Sequence, residues 1–473
     1  MARPLIGRTV RRLRQEQRIT QAALATRLGI SASYLNLIEH DQRAVSAALL
    51  IKLTEALRVD LAALSGSAER QLETQLREVF SDPMLGAEAV ADAEASAVAA
   101  ASPAAARAVL ALYRAWRVAR EDAGGIALPS GRRLLLPTEE ARDFFNERAN
   151  YFQALESGAE GLGAELNVAP SELNHAIAER LRQRHGLLIR VGPLESALRR
   201  YDPEGRQLLL SERLPRESRG FHLAFQLALL ELRGLVEDEL RLTEPSSPEA
   251  TGLIRIGLLN YLAGALLMPY GAFLEAAQAL RHDVDPLAAR FGVSFEQACQ
   301  RLASLQRPGA RGVPFFFLRV DPAGNVTKRF SAAAFPFARY GGSCPRWVVH
   351  TAFGAPGILR TQVAQLPDGA TFLCFARAII APSVGWGDPS PVHVVAMGCD
   401  IDHAADMIYA DGIEIERAVV GIGLSCRLCD RMDCHSRAFP PLEHRLAMDP
   451  LTTTGVSPYR FDKIPQSKID RAS

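Results

Sequence analysis

Three cysteines near the C-terminal end of this sequence, Cys426, Cys429 and Cys434, have the residue type and spacing for metal chemistry, in the stretch GLSCRLCDRMDCHSRAFPPL. Thiolates spaced C-x2-C-x4-C reach a common centre from one turn, and His435 follows the last of them, so the run reads as a metal or cluster site. One outcome is an iron–sulfur cluster, whose fourth ligand could be Cys399, Cys344, His435 or a small molecule. Structural zinc on three thiolates and His435 is a second, and unliganded thiols are a third. A disulfide is disfavoured, because seven cysteines in 473 residues is an odd count and the first residues, MARPLIGRTVRRLRQE, hold no apolar export segment; a reducing cytoplasm is expected. Cys299 and Cys374 stand in apolar contexts and read as buried fillers.

The rest of the chain must position such a site. Its length predicts two to four domains, and 48% hydrophobic content supplies a core for each. A formal net charge of +1 excludes a wholesale polyanion binder. Locally the balance differs: Arg3, Arg8, Arg11, Arg12, Arg14 and Arg18 face only Glu16 within the first twenty residues, so nucleic-acid contact belongs at the N-terminus. No apolar run in the sequence reads as a membrane span, and no membrane partner is expected.

Residues 5–64 read as about five short helices. Thr20 is a helix N-cap, Gly29 ends that helix and Ser31 caps the next, which makes the corner of a helix-turn-helix. The string TQAALATRLGISASYLNLIEHDQR resembles the phage-repressor-like (XRE) DNA-binding domain over residues 6–64. That resemblance implies that Ser31, Ser33, Tyr34 and Asn36 face the major groove, that Gln21 and Arg43 contact backbone or groove edges, and that Glu39 buttresses the fold. It also implies a dimer on operator half-sites about one helical turn apart.

Residues 67–103 turn Ala-rich and read as a helical connector between the 1–66 domain and a middle domain, 104–307. The middle combines helices with the strands LLIRVG and RQLLLSE, an α+β pattern. Within it, LNYLAGALLMPYGAF resembles a segment of the ImmA/IrrE-type zinc metallopeptidase domain. The resemblance puts Phe225 and Leu229 where that family has histidines, Gln226 at its catalytic glutamate and Leu258 at its downstream glutamate ligand. None of the four side chains can bind zinc or act as a general base near neutral pH, so no catalytic residue is expected. His222, with no partner four residues on, reads as a packed core histidine. The cleft around Phe225, Leu229 and Leu258 either holds an apolar ligand tail or is filled. DVDPLAARFGVSFEQACQRLASLQ looks superficially like a second helix-turn-helix, with Arg290 and Arg301 as a sparse basic face.

From Pro308 to the end, β-rich runs separated by DPAG, GG and PDG predict a mostly antiparallel sheet with helices on one face, for which a GAF-like sensor fold is one candidate. KRFSAAAFPFARYGGSCPRWVVHTAF and CRLCDRMDCHSRAFPPL resemble the C-terminal domain of the short-chain fatty acyl-CoA transcriptional regulators. That family also joins a repressor-like N-terminus to a degenerate metallopeptidase-like middle, so the fold class expected is multidomain: all-α, then α+β, then β-rich α+β over 308–473. The resemblance implies an acyl-CoA effector and, on Cys426, Cys429 and Cys434, an iron–sulfur cluster of the 4Fe-4S type. A CoA site needs cations and an apolar slot; Arg329, Arg339 and Arg346 flank AFPFARYGGSCPRW and would supply the charge.

Overall fold

The computed structural model describes residues 7–17, 19–40, 42–43, 45–57, 67–82, 90–122, 137–194, 197–333, 335–337, 343–381, 385–387, 390–427, 429–431, 434–441, 444–447 and 460–463. The chain divides into two compact units. One holds 1–134, 334–343 and 424–473; the other holds 135–333 and 344–423.

In the first unit, α1 (Gly7–Glu16), α2 (Gln21–Leu28), α3 (Ala32–Glu39) and α4 (Ala47–Leu57) bury Val10, Leu24, Leu28, Leu35, Ile38 and Leu53 around one core. A fifth helix expected before residue 64 falls outside the described residues. The stretch read as a connector behaves differently. Helices α5 (Ser67–Phe80), α6 (Asp92–Ala101) and α7 (Pro103–Asp122) pack on one another around Leu72, Leu76, Val79, Leu110 and Tyr113. Ala95, Ala99 and Ala106 are buried between them. The alanines that suggested little burial are what permit the close approach, so 67–103 is part of a packed helical cluster that runs past residue 104.

The second unit opens with α8 (Pro137–Glu147), α9 (Gln153–Leu166) and α10 (Leu173–His185). A small sheet follows, with β1 (Leu188–Gly192) parallel to β3 (Gln207–Ser211) and β2 (Arg199–Asp202) antiparallel to β3. Then come α11 (Arg216–Glu231), α12 (Arg233–Thr243), α13 (Pro248–Leu267), α14 (Tyr270–Ala279), α15 (Val284–Phe291) and α16 (Phe295–Leu302). Helix α13 is long and apolar enough to cross a membrane, contrary to the sequence reading, and half of that stretch is buried inside the domain.

The second sheet contains β4 (Phe316–Val320), β5 (Val326–Ser331), β6 (Arg360–Gln365), β7 (Thr371–Ile380), β8 (Val392–Asp400) and β9 (Val419–Gly421), in the order β5-β4-β8-β7-β6-β9. All neighbours are antiparallel except β6 and β9. Period-two alternation sorts the phenylalanines: Phe315 and Phe317 join the helical core, while Phe316 turns to Trp347 and Phe372 on the other face. Gly398 sits opposite Phe316, whose ring would lie 2.4 Å from a Cβ there, so this register needs glycine.

Two local expectations change. RWVVHTAF, read as a strand, forms the short helix α17 (Val348–Ala352), because Val348, Val349 and Ala352 all bury on one side. DHAADMIYADG forms two 3-10 turns rather than one helix. More broadly, the expected boundary at 307/308 does not divide the packing. One core runs from Phe144 to Met407, with the helices burying their apolar faces against the sheet. The last described pair is β10 (His444–Ala447) with β11 (Arg460–Lys463), antiparallel and in the first unit.

Candidate DNA-reading helix, ligand cavity and cysteine loop

The corner at 20–34 is built by short-range hydrogen bonds. Thr20 Oγ1 accepts from the Ala23 amide at 3.2 Å, Gly29 takes a left-handed φ of 68°, and Ser31 Oγ accepts from the Tyr34 amide at 3.1 Å. Ser31, Ser33, Tyr34, Asn36 and Arg43 are exposed. Ser31 therefore serves as a cap while remaining at the surface. Gln21 is half-buried, and its amide nitrogen donates to Asn36 Oδ1 at 3.2 Å and to Glu39 Oε2 at 3.0 Å. Buried Glu39 takes two hydrogen bonds from Arg14, at 2.6 and 2.9 Å, and this pairing raises the Arg14 pKa. Arg14 therefore belongs to an internal clamp, Arg14–Glu39–Gln21–Asn36, and is not available for the nucleic-acid contact expected of the N-terminal arginines.

At the positions that resemble the peptidase centre, Phe225, Gln226 and Leu258 are buried. Arg199 of β2 lays its guanidinium over the Phe225 ring, 4.0 Å from the centroid, and donates to Gln226 Oε1 at 2.8 Å. Burial lowers the Arg199 pKa to about 10. Burial, and then the charge of Arg199, push half-buried His222 down to about 4, so it is a neutral packed residue. A fixed guanidinium thus caps this helix face, and none of Phe225, Leu229 and Leu258 lines a cavity of about 290 Å³ that opens elsewhere in this unit.

That cavity, of about 290 Å³, lies among α8, α13, α16 and β5. Phe145, Phe221, Leu253 and Phe330 give it apolar walls, while Arg142, Lys328 and Arg329 bring positive charge. Gly257 keeps it open on one side, since a Cβ there would come within 2.5 Å of the Phe145 ring. Lys328 Nζ donates to Gln300 Oε1 at 2.8 Å; burial lowers its pKa to about 8 against the opposing pull of Glu296. Tyr261 and Arg301 on the wall belong to a buried network. Arg301 contacts both Glu156 oxygens, at 2.5 and 2.9 Å, and the Tyr261 hydroxyl donates to Glu156 at 2.5 Å. Burial alone would raise the Glu156 pKa, but the charge and hydrogen bonds of Arg301 reverse this and keep it ionised. Arg301 is therefore no part of a second DNA-reading face.

Of the three arginines expected at a CoA site, Arg329 lines the cavity and is buried. Arg346 does not line it; its carbonyl accepts from Gln362 Nε2 at 2.8 Å beside α17. Arg339 lies outside the described residues. Arg142, Lys328, Asn150 and Tyr261 were missed. For Tyr261 the available signal was the stripe Gly257, Asn260, Tyr261 and Gly264 at helical spacing within an otherwise apolar helix, whereas Arg142, Asn150 and Lys328 lie on other segments and carried no such signal.

The cysteine loop is wound around Arg437, itself buried. Its guanidinium donates to the carbonyls of Cys426 at 2.6 Å, Cys429 at 2.8 Å and Arg431 at 2.7 Å. The Ala438 amide donates to Cys426 Sγ at 3.4 Å. Cys429 is buried, which raises its pKa; Cys426 and Cys434 are half-buried and His435 is exposed. The expected convergence is not seen: among the described residues no three Cys, His, Asp or Glu side chains form a group able to hold a metal ion. None of the seven cysteines is in a disulfide. Cys344 and Cys399, considered as fourth ligands, are buried in the other unit, where burial pushes the Cys399 thiol far up.

A capped reading helix in the same chain as a cavity-bearing domain, with the peptidase positions filled by apolar and amide side chains, defines a one-component DNA-binding regulator. Family models agree module by module: helix-turn-helix over 10–64, IrrE N-terminal-like domain over 182–303, and short-chain fatty acyl coenzyme A regulator, C-terminal, over 304–459. The chain is 41% identical to a propionyl-CoA carboxylase regulator of Cereibacter sphaeroides, covering 96% of this chain and 98% of the relative. It is 40% identical to the HTH-type transcriptional regulator PrpR of Mycobacterium tuberculosis, covering 95% and 94%, and 38% identical to RamB of that species, covering 97% and 99%. A solved Mycobacterium tuberculosis transcriptional regulator superposes with a TM-score of 0.66 at 42% identity, over 69% of this chain and all of that one. This chain belongs to the short-chain fatty acyl-CoA regulator family, and is a transcriptional regulator rather than an enzyme.

Proposed function

We propose that this regulator binds operator DNA as a homodimer through residues 20–43, in the control of propionate- or acetate-type metabolism, and that a short-chain acyl-CoA in the 290 Å³ cavity biases that binding. The observation that carries the ligand reading is a cavity with apolar walls to which Arg142, Lys328 and Arg329 bring positive charge beyond the Arg301 already paired with Glu156. The acyl chain needs the former and the phosphates the latter. The ligand shifts DNA binding only by its preference for one conformation, and a tenfold preference is about 1.4 kcal/mol. An operator shift assay with propionyl-CoA and acetyl-CoA tests this. A concentration-dependent change in operator affinity is expected, and indifference to both removes the effector claim.

Cys426, Cys429 and Cys434 are read as ligands of a 4Fe-4S cluster, with zinc as the alternative. What supports this is three free thiols within nine positions, an amide donating to one sulfur, and a guanidinium holding the loop where thiolate charge would gather. Such a group would add sensitivity to iron or redox state, while Arg437 keeps the loop backbone in place. Anaerobic purification with an absorption spectrum and metal analysis separates cluster from zinc; a colourless, metal-free protein ends both readings.

A further inference from the structure

Between α8 and α9 the chain turns through two left-handed residues, Ala149 (φ 47°) and Asn150 (φ 56°). Asparagine is one of the few residues that accepts this backbone readily. The turn is held on both sides: the Asn150 amide donates to the Phe145 carbonyl at 2.9 Å, and the Phe152 amide donates to the Tyr261 hydroxyl at 3.3 Å. Asn150 lines the cavity and is 4% exposed, and among the described residues neither its Oδ1 nor its Nδ2 has a hydrogen-bond partner. A buried donor and acceptor left unmade are costly, so this amide is placed to meet a partner.

Three other polar side chains on the wall are already engaged. Gln297 closes a capping box with Ser294, Gln300 bridges Lys328 and Glu296, and Tyr261 donates to Glu156. Asn260, half-buried on α13, is a second wall amide with no hydrogen bond to protein among the described residues. A partner for a carboxamide must both donate and accept. A hydrocarbon tail does neither, and a phosphate only accepts.

We propose that Asn150, together with Asn260, forms a carboxamide subsite for the pantetheine arm of the thioester ligand. The two neutral secondary amides of that arm match two asparagines on different elements. The proposal rests on the acyl-CoA reading of the cavity and adds what that reading lacks: recognition between the apolar slot and the cations.

The test is calorimetric titration of the full-length protein with propionyl-CoA and with S-propionyl-pantetheine, which lacks the phosphates and adenosine. Asn150→Gly and Asn150→Asp both accept a positive φ, and melting temperatures near wild type verify folding. Each variant should weaken both ligands by a similar factor, about tenfold, as expected for lost hydrogen bonds. Lys328→Met should weaken propionyl-CoA alone. Undiminished binding in both Asn150 variants overturns the subsite while leaving the acyl-CoA reading intact. A loss confined to propionyl-CoA also overturns it, by assigning Asn150 to the adenine edge. Failure of the wild type to bind either ligand removes the acyl-CoA reading and the subsite together.

Discussion

Asn36 is held at the surface by Gln21, which is fixed in turn by Glu39 and Arg14. This chain of bonds separates reading from holding. Asn36→Ala and Tyr34→Ala should each cost about 1–3 kcal/mol on operator DNA and change base preference, whereas Arg43→Ala should weaken operator and random DNA alike and lower the salt slope by about one. Fluorescence anisotropy on both DNAs at several salt concentrations distinguishes these effects; equal losses for all three substitutions contradict the division. His222 offers a prediction in pH. Its folded pKa, about 4, lies below the ordinary 6.5, so the unfolded chain binds the extra proton first. The stability gained by keeping it neutral is fully present above about pH 6.5 and is lost as pH falls toward 4. His222→Gln should flatten that part of the urea midpoint curve between pH 7 and 4.5. The caps Thr20, Gly29 and Ser31 were legible because their partners lie within five residues; the pairing of Arg14 was not, because Glu39 lies 25 residues away.

Helix α13 shows how one element serves both core and cavity. Its buried leucines pack the domain, while Gly257, Asn260, Tyr261 and Gly264 face the cavity. Gly257→Ala should press on the Phe145 ring and weaken acyl-CoA binding, with basal operator affinity unchanged; titration calorimetry alongside a shift assay checks both halves. The Glu156–Arg301 pair joins α9 to α16 with both side chains almost fully buried. Breaking such a pair strands a charge, so Glu156→Gln should lower stability by about 3–5 kcal/mol in urea unfolding. Neither partner announces the other in sequence: Arg301 looked like a surface cation on a helix-turn-helix because its partner lies 145 positions earlier. Helix α17 was misread for a related reason. Its valines favour strand locally, and burial of Val348, Val349 and Ala352 on one side outweighs that preference.

For the whole molecule, effector and DNA are assigned to different compact units, and the cysteine loop shares its unit with the DNA-binding helices. Cys429→Ser should abolish metal content, as measured by metal analysis and absorption after anaerobic purification. If operator binding and its acyl-CoA response then persist unchanged, the loop stands apart from the switch. Residue types and near-neighbour spacing were enough for the capped helix-turn-helix, the loss of peptidase chemistry at Phe225, Gln226, Leu229 and Leu258, the alternating strands and the clustered thiols. Folding alone settles that the middle helices and the six-stranded sheet share one core, that Arg329 lines the cavity while Arg346 does not, and that Arg199 covers the relic site. The reason is physical. Caps and strand patterns are set within a few residues, whereas ion pairs, cavities and shared cores join side chains that only folding brings together.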